Sequence, residues 1–239
     1  MPAINNDPLC GHYIRNFFVP AVEFYTRVVL DKVFPALDDE VISKEAHQVE
    51  RKALEQTAAH EDDDDPSAFY DAAFNEGLEF YMSMRNTRQG LINALAVGLY
   101  HLFEQQLCEF CRLLAREPEA ELDGEKAKTK LKDLGIDVKK LSDWSSIDDL
   151  RLLANCVKHA EGKSRKKLYQ RRPDLFFPPN QTEAELNDPA WMEILTLSSQ
   201  SFIRTPLSGE GVYFTVKEFK EKSRLLEKFW LDIAEMMSQ

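Results

Sequence analysis

Four polar side chains suited to acid–base and phosphate chemistry sit within nine residues, in the run Arg151-Leu-Leu-Ala-Asn155-Cys-Val-Lys158-His159. At 100° per helical residue, Arg151, Asn155 and His159 fall within about 80° of one another, and Lys158 lies about 20° to the other side of Arg151. The four share one stripe. Leu150, Leu152, Leu153, Cys156 and Val157 occupy the opposite arc, so the helix has a core-facing side and a cation-rich side without a nucleophile. Such a stripe suits a phosphodiester: an imidazole moves protons near neutral pH, and the cations neutralise phosphate oxygens. A plainer reading stands beside it, in which His159 only places favourable charge at the negative end of the helix dipole and Asn155 is solvated one turn before it.

The charge distribution around this run is uneven. The whole chain carries −11, which argues against a general nucleic-acid coat, because nonspecific phosphate binding needs accumulated Lys and Arg. Between Lys158 and Arg172, however, seven basic residues (Lys158, Lys163, Arg165, Lys166, Lys167, Arg171, Arg172) stand against Glu161 alone, leaving −17 on the remainder. A basic patch on an acidic body can draw in a polyanion locally while the rest of the surface repels it.

Other chemistries find little material. Nine glycines in 239 residues leave no phosphate-cradling loop, and no Gly-x-Ser-x-Gly or strand–loop–helix repeat is present. Cys108 and Cys111 have helical spacing and no matching His or Cys pair nearby, so they read as packing, with no metal and no cofactor expected. The four sparse cysteines, the polar start and the lack of an eighteen-residue apolar run imply a cytoplasmic protein with reduced thiols and no membrane segment.

The elements that must position the stripe are helical. Residues 2–9 read as a tail, Tyr13 to about Leu37 as a helix with an apolar, aromatic-rich face and prolines at 20 and 35, and 39–60 as a weakly apolar helix ending in the acidic run 61–65. From Ser67, a candidate N-cap, helical periodicity extends to Arg116, and its length implies a kink or join at the polar stretch Ser83–Gly90. A short helix over 128–134 ends at Gly135. Ser145 or Ser146 then caps the stripe helix, with Asp148 and Asp149 in its first turn and Gly162 closing it. Residues 171–188 read as loop, 206–216 as a small strand pair, and Val216–Met237 as an amphipathic helix. The expected fold is an all-α up-and-down helical bundle. Residues 1–65 form an N-terminal helical segment packed on a domain of residues 66–239, in one unit overall.

The long helix Leu91–Leu114, followed after an insert by Leu150-Arg-Leu-Leu-Ala-Asn-Cys-Val-Lys-His-Ala-Glu-Gly162, resembles the HEPN superfamily of helical domains. The hallmark of that family is an Arg, four to six intervening residues and a His, often Arg-Asn-x-x-x-His, at the end of a helix. Asn155 and His159 keep the second part of the pattern. Ala154 stands where the Arg precedes the Asn, and Arg151 lies further upstream.

The resemblance covers roughly residues 70–170. It implies a homodimer in which two motifs meet in a cleft and, in active members, metal-independent RNA cleavage within defence or stress systems. His159 would then be the general acid or base, a role suited to an imidazole, which can both take up and give up a proton. Arg151 or Lys158 would neutralise developing phosphate charge, Asn155 would orient, and Lys163, Arg165, Lys166, Lys167, Arg171 and Arg172 would hold the RNA backbone. Glu104, on the neighbouring long helix, would support His159 or Arg151, or else be a surface group. The outcomes left open are a ribonuclease, a degenerate RNA binder, and an all-α interaction or regulatory module with a protein partner.

Overall fold

The computed structural model describes residues 7–57, 66–118, 120–141, 143–159, 162–176 and 211–238. The first helix begins earlier than the sequence suggests. Asp7 accepts a hydrogen bond from the Leu9 amide (3.0 Å), and Pro8, with no N–H to waste, occupies the first turn. From there α1 (Pro8–Tyr13), α2 (Val19–Val28) and α3 (Phe34–Ala36) follow one another through two π turns, Ile14–Phe18 and Val29–Val33. Each π turn ends two residues before a proline, Pro20 or Pro35. A proline inside a helix lacks a donor and its ring collides with the carbonyl four residues back, and the wider turn relieves that collision so the chain continues. The Gln106 side chain donates to the Phe18 carbonyl at 3.0 Å inside this distorted stretch.

Next come α4 (Asp39–Thr57) and α5 (Pro66–Ala115). The join anticipated at Ser83–Gly90 is absent, and α5 runs unbroken for 50 residues. Its first half is held by α4, which lies antiparallel to it: the Tyr81 hydroxyl donates to Asp39 (3.1 Å), and further along Ala46 and Glu50 close on Gly77. A Cβ at Gly77 would lie 3.0 Å from the Glu50 Cβ, so glycine sets the helix spacing there. Ile42, Ala46 and Ala73 are buried in this contact, while Tyr70, Phe74, Leu78 and Met82 remain exposed.

The second half of α5 carries the main core. Trp230 of α9 (Val216–Met236) is fully buried, with ring centroids of Phe18, Phe229, Phe103 and Phe110 at 4.7, 5.1, 5.7 and 5.8 Å. α1 to α3, the second half of α5 and the residues after it, through α9, contribute to this one apolar cluster, whereas α4 does not. α6 (Gly124–Asp133) starts at the Asp123 cap, four residues before the short helix read from the sequence. It ends in a Schellman motif, with Gly135 at φ 97° and the Ile136 amide donating to the Leu131 carbonyl (2.8 Å).

α7 (Trp144–His159) begins before both candidate serine caps, directly after Asp143, which adopts φ 66°. α8 (Lys163–Arg171) follows Gly162, whose φ of 135° turns the chain between the two helices. The architecture is an all-α helical bundle. The expected strand pair is not formed among the described residues. Residues 206–210 of that segment lie outside them, and 212–215 is irregular, with the Tyr213 amide donating to the Leu175 carbonyl (2.7 Å). Among the described residues no helix is long and apolar enough to cross a membrane.

Candidate functional site

α7 buries Ile147, Leu150, Leu152, Leu153, Ala154 and Cys156 and turns the polar stripe outward. Along that stripe exposure rises towards the C-terminus: Arg151 and Asn155 are half-buried, Lys158 and His159 exposed. Eight residues at 1.5 Å rise separate Arg151 from His159 by about 12 Å along the axis, whereas Asn155 is about 6 Å from His159. The Arg151 side chain also points away from His159. Its Nε donates to Asp148 Oδ1 at 2.7 Å, one turn towards the helix start. Within one chain the stripe therefore divides into a paired cation and an open His–Asn–Lys end.

Asp148 is shared. Its second oxygen accepts from Arg171 Nη1 at 2.8 Å, and Arg171 Nη2 donates to the Ser145 carbonyl (2.6 Å) and lies 2.8 Å from Asp149 Oδ1. Arg172 forks onto Asp174, with Nε to Oδ1 at 2.9 Å and Nη2 to Oδ2 at 2.6 Å, and also bonds Glu218 of α9. Lys222 of α9 is buried and donates to the Ser146 carbonyl at 2.8 Å. Arg171 and Arg172, at the end of α8, thus tie it to α7 and α9, while Arg151 shares Asp148 from within α7, a use that the sequence did not reveal. Its trace was the i, i+3 spacing of Asp148 and Arg151, read there only as dipole charge.

Burial alone would raise the Asp148 carboxyl, but the hydrogen bonds and charges of Arg151 and Arg171 outweigh it and hold this group below the ordinary carboxylate range. Next to it, Asp149 goes the other way, raised by burial despite Arg171, Lys222 and Arg172.

The remaining basic residues of the segment behave differently. Arg165 turns inward, its guanidinium 5.2 Å from the centre of the Phe176 ring and beside Gly211. Lys158, His159, Lys163, Lys166 and Lys167 are exposed and meet no carboxylate among the described residues. They surround the α7–α8 corner at Gly162.

Glu104 lies outside this group. It accepts from the Tyr100 hydroxyl (3.3 Å), stands 3.8 Å from His101, and rests against Gly124, where a Cβ would come 2.5 Å from its Oε1. Tyr100 is 7% exposed, and burial with the Glu104 charge pushes its phenol well above the usual range while Arg151 pulls the other way. Ala154, at the position of the motif's Arg, is 0% exposed and belongs to the core. The four cysteines are free and buried, and among the described residues no group of three or more His, Cys, Asp or Glu side chains is placed to hold a metal.

Comparison with family models, with curated proteins and with solved structures finds no match for this chain.

Proposed function

We propose that this chain is a HEPN-like, RNA-directed protein that holds RNA on the corner formed by the end of α7 and by α8. The observation that carries this reading is the partition of the basic segment. Two of its arginines, Arg171 and Arg172, are spent on carboxylates and Arg165 on the Phe176 ring, whereas four lysines and His159 face solvent without a carboxylate partner among the described residues. On a chain of −11, such a corner offers phosphates a local field of the right sign.

Cleavage at this corner would proceed by attack of a ribose 2′-hydroxyl on the adjacent phosphorus. His159 would take the hydroxyl proton or supply one to the leaving 5′-oxygen, leaving a 2′,3′-cyclic phosphate and a 5′-hydroxyl. Lys158 is the cation beside His159 on α7, because Arg151 is turned to Asp148. Dimerisation, which belongs to the same reading, would bring a second such corner into one cleft. The buried Ala154 and the paired Arg151 favour binding over catalysis as the activity of a single chain.

The test uses purified full chain with single-stranded RNA in EDTA, comparing wild type, His159→Ala and Lys163/Lys166/Lys167→Glu. Expected is RNA binding that the triple variant loses, with log affinity falling against log salt at a slope of about −3 for four lysine contacts. Cyclic-phosphate products that vanish in His159→Ala would add ribonuclease activity; binding without products leaves a binder. Absence of binding at low salt overturns the proposal and leaves the α7 stripe to a protein interface.

A further inference from the structure

The hairpin of α4 and the first half of α5 lies outside the main core and leaves one face of its longer helix bare. α4 packs mainly on α5, and none of its side chains joins the apolar cluster around Trp230. Ala73 and Gly77 face α4 and are buried, whereas Phe74, Leu78 and Met82, about 100° further round α5, are 56%, 43% and 58% exposed. Solvent has its own side of this helix, carrying Glu76, Glu79, Ser83 and Thr87. Large apolar side chains gathered into a separate stripe mark a protein contact.

The stripe is self-complementary. At 100° per residue Asp71, Phe74, Leu78, Met82 and Arg85 fall within about 80° of arc, and they are spaced symmetrically about Leu78. A two-fold axis through Leu78, perpendicular to α5, therefore sets Leu78 on its own copy, Phe74 against Met82 and Asp71 against Arg85. The charged ends are available for this. Asp71 is exposed, with no ion pair or hydrogen bond among the described residues. Arg85 stands 3.6 Å from Asp39 with both side chains about half exposed, a pair of little strength. It also lies over the Tyr81 ring at 5.7 Å, which leaves guanidinium N–H groups for a second carboxylate. A partner of unrelated sequence places no symmetry on these charges, whereas a second copy requires opposite signs at equal distances from the axis.

We infer that two copies of this chain associate through this face, α5 against antiparallel α5, with Phe74, Leu78 and Met82 as the apolar seam and an Asp71 to Arg85 pair closing each end. Leu78 is about 33 Å along α5 from Tyr100, the phenol on which the Arg151 charge acts. The contact is therefore a different surface from the one that would bring two α7 ends into a cleft. It shares no residue with the RNA corner, so either can fail alone. Sedimentation velocity and equilibrium on the full chain at physiological salt, up to about 100 µM, test it.

Expected is a reversible dimer. Leu78→Glu should weaken it at least 10-fold with an unchanged melting temperature, because the position is already open to solvent in the single chain. Asp71→Arg and Arg85→Asp should each weaken self-association at least 10-fold by setting like charges opposite one another at both ends. An equimolar mixture of these two variants should form a heterodimer as tight as the wild-type dimer. Lys163/Lys166/Lys167→Glu should dimerise as wild type does. A chain that stays monomeric at about 100 µM overturns the inference. So does a dimer indifferent to Leu78→Glu, a mixture that associates no more tightly than its separate variants, or loss of the dimer in the α8 triple variant.

Discussion

Arg151 and His159 share a face of one helix and do different work, and substitution separates them. Arg151→Ala removes a hydrogen-bonded ion pair in which both side chains are 24% exposed, and costs about 1–3 kcal/mol, measurable by urea unfolding. His159→Ala, at an exposed position, leaves stability within about 0.5 kcal/mol. The adjacent carboxylates give opposite pH signatures. Asp148, lowered when folded, contributes stability that is present above its unfolded value of 3.8 and is lost as pH falls through the folded one. Asp149, raised when folded, contributes stability that is complete below 3.8 and fades as pH rises through its folded value. Asp148→Asn is therefore expected to destabilise at pH 7 and to do so progressively less towards pH 3, whereas Asp149→Asn is neutral to stabilising at pH 7; unfolding curves at both pH values decide it. The shared face of these side chains was legible from 100° spacing. Which carboxylate each arginine takes was not, because Arg171 and Arg172 arrive on α8 and Glu218 on α9, far away in sequence.

At the scale of elements, the helices themselves were readable, and the departures have local causes. Val212 and Phe214 are buried while Tyr213 and Thr215 are half-buried, the period of two that suggested a strand. The backbone there is satisfied by Gln89, Asn93 and Leu175 instead of a sister strand. α8 escaped notice because its one buried residue, Leu168, gives no apolar repeat. The unbroken α5 follows from having partners on both halves, α4 on the first and the α9 aromatic cluster on the second, so the polar stretch between them needs no break. The helix read over Tyr13 to about Leu37 accommodates Pro20 and Pro35 through two π turns, and the bond from Gln106 to Phe18 is part of that accommodation. Gln106→Ala should cost about 1–3 kcal/mol in unfolding free energy. Gly98→Ala should destabilise as well, since its Cβ would sit 2.4 Å from the Tyr25 hydroxyl, which donates to the Leu95 carbonyl; a melting temperature equal to wild type would contradict that packing.

For the whole molecule, the four thiols are a measure of cooperativity. All are buried, and burial pushes Cys10 and Cys156 up to about 11. An aromatic disulfide reagent at pH 8 is expected to leave the native protein nearly unlabelled and to count four thiols in denaturant. Rapid labelling of any one without denaturant would show that its element opens independently of the rest.

An unbroken α5 of 50 residues has a contour of about 75 Å at 1.5 Å per residue. A folded chain of 239 residues is expected to have a radius of gyration of only about 18 Å. With its first half packed mainly on α4, α5 makes the particle anisometric: its X-ray scattering should carry interatomic vectors well beyond those of an equal-mass sphere, and its fluorescence anisotropy should decay more slowly than mass alone dictates.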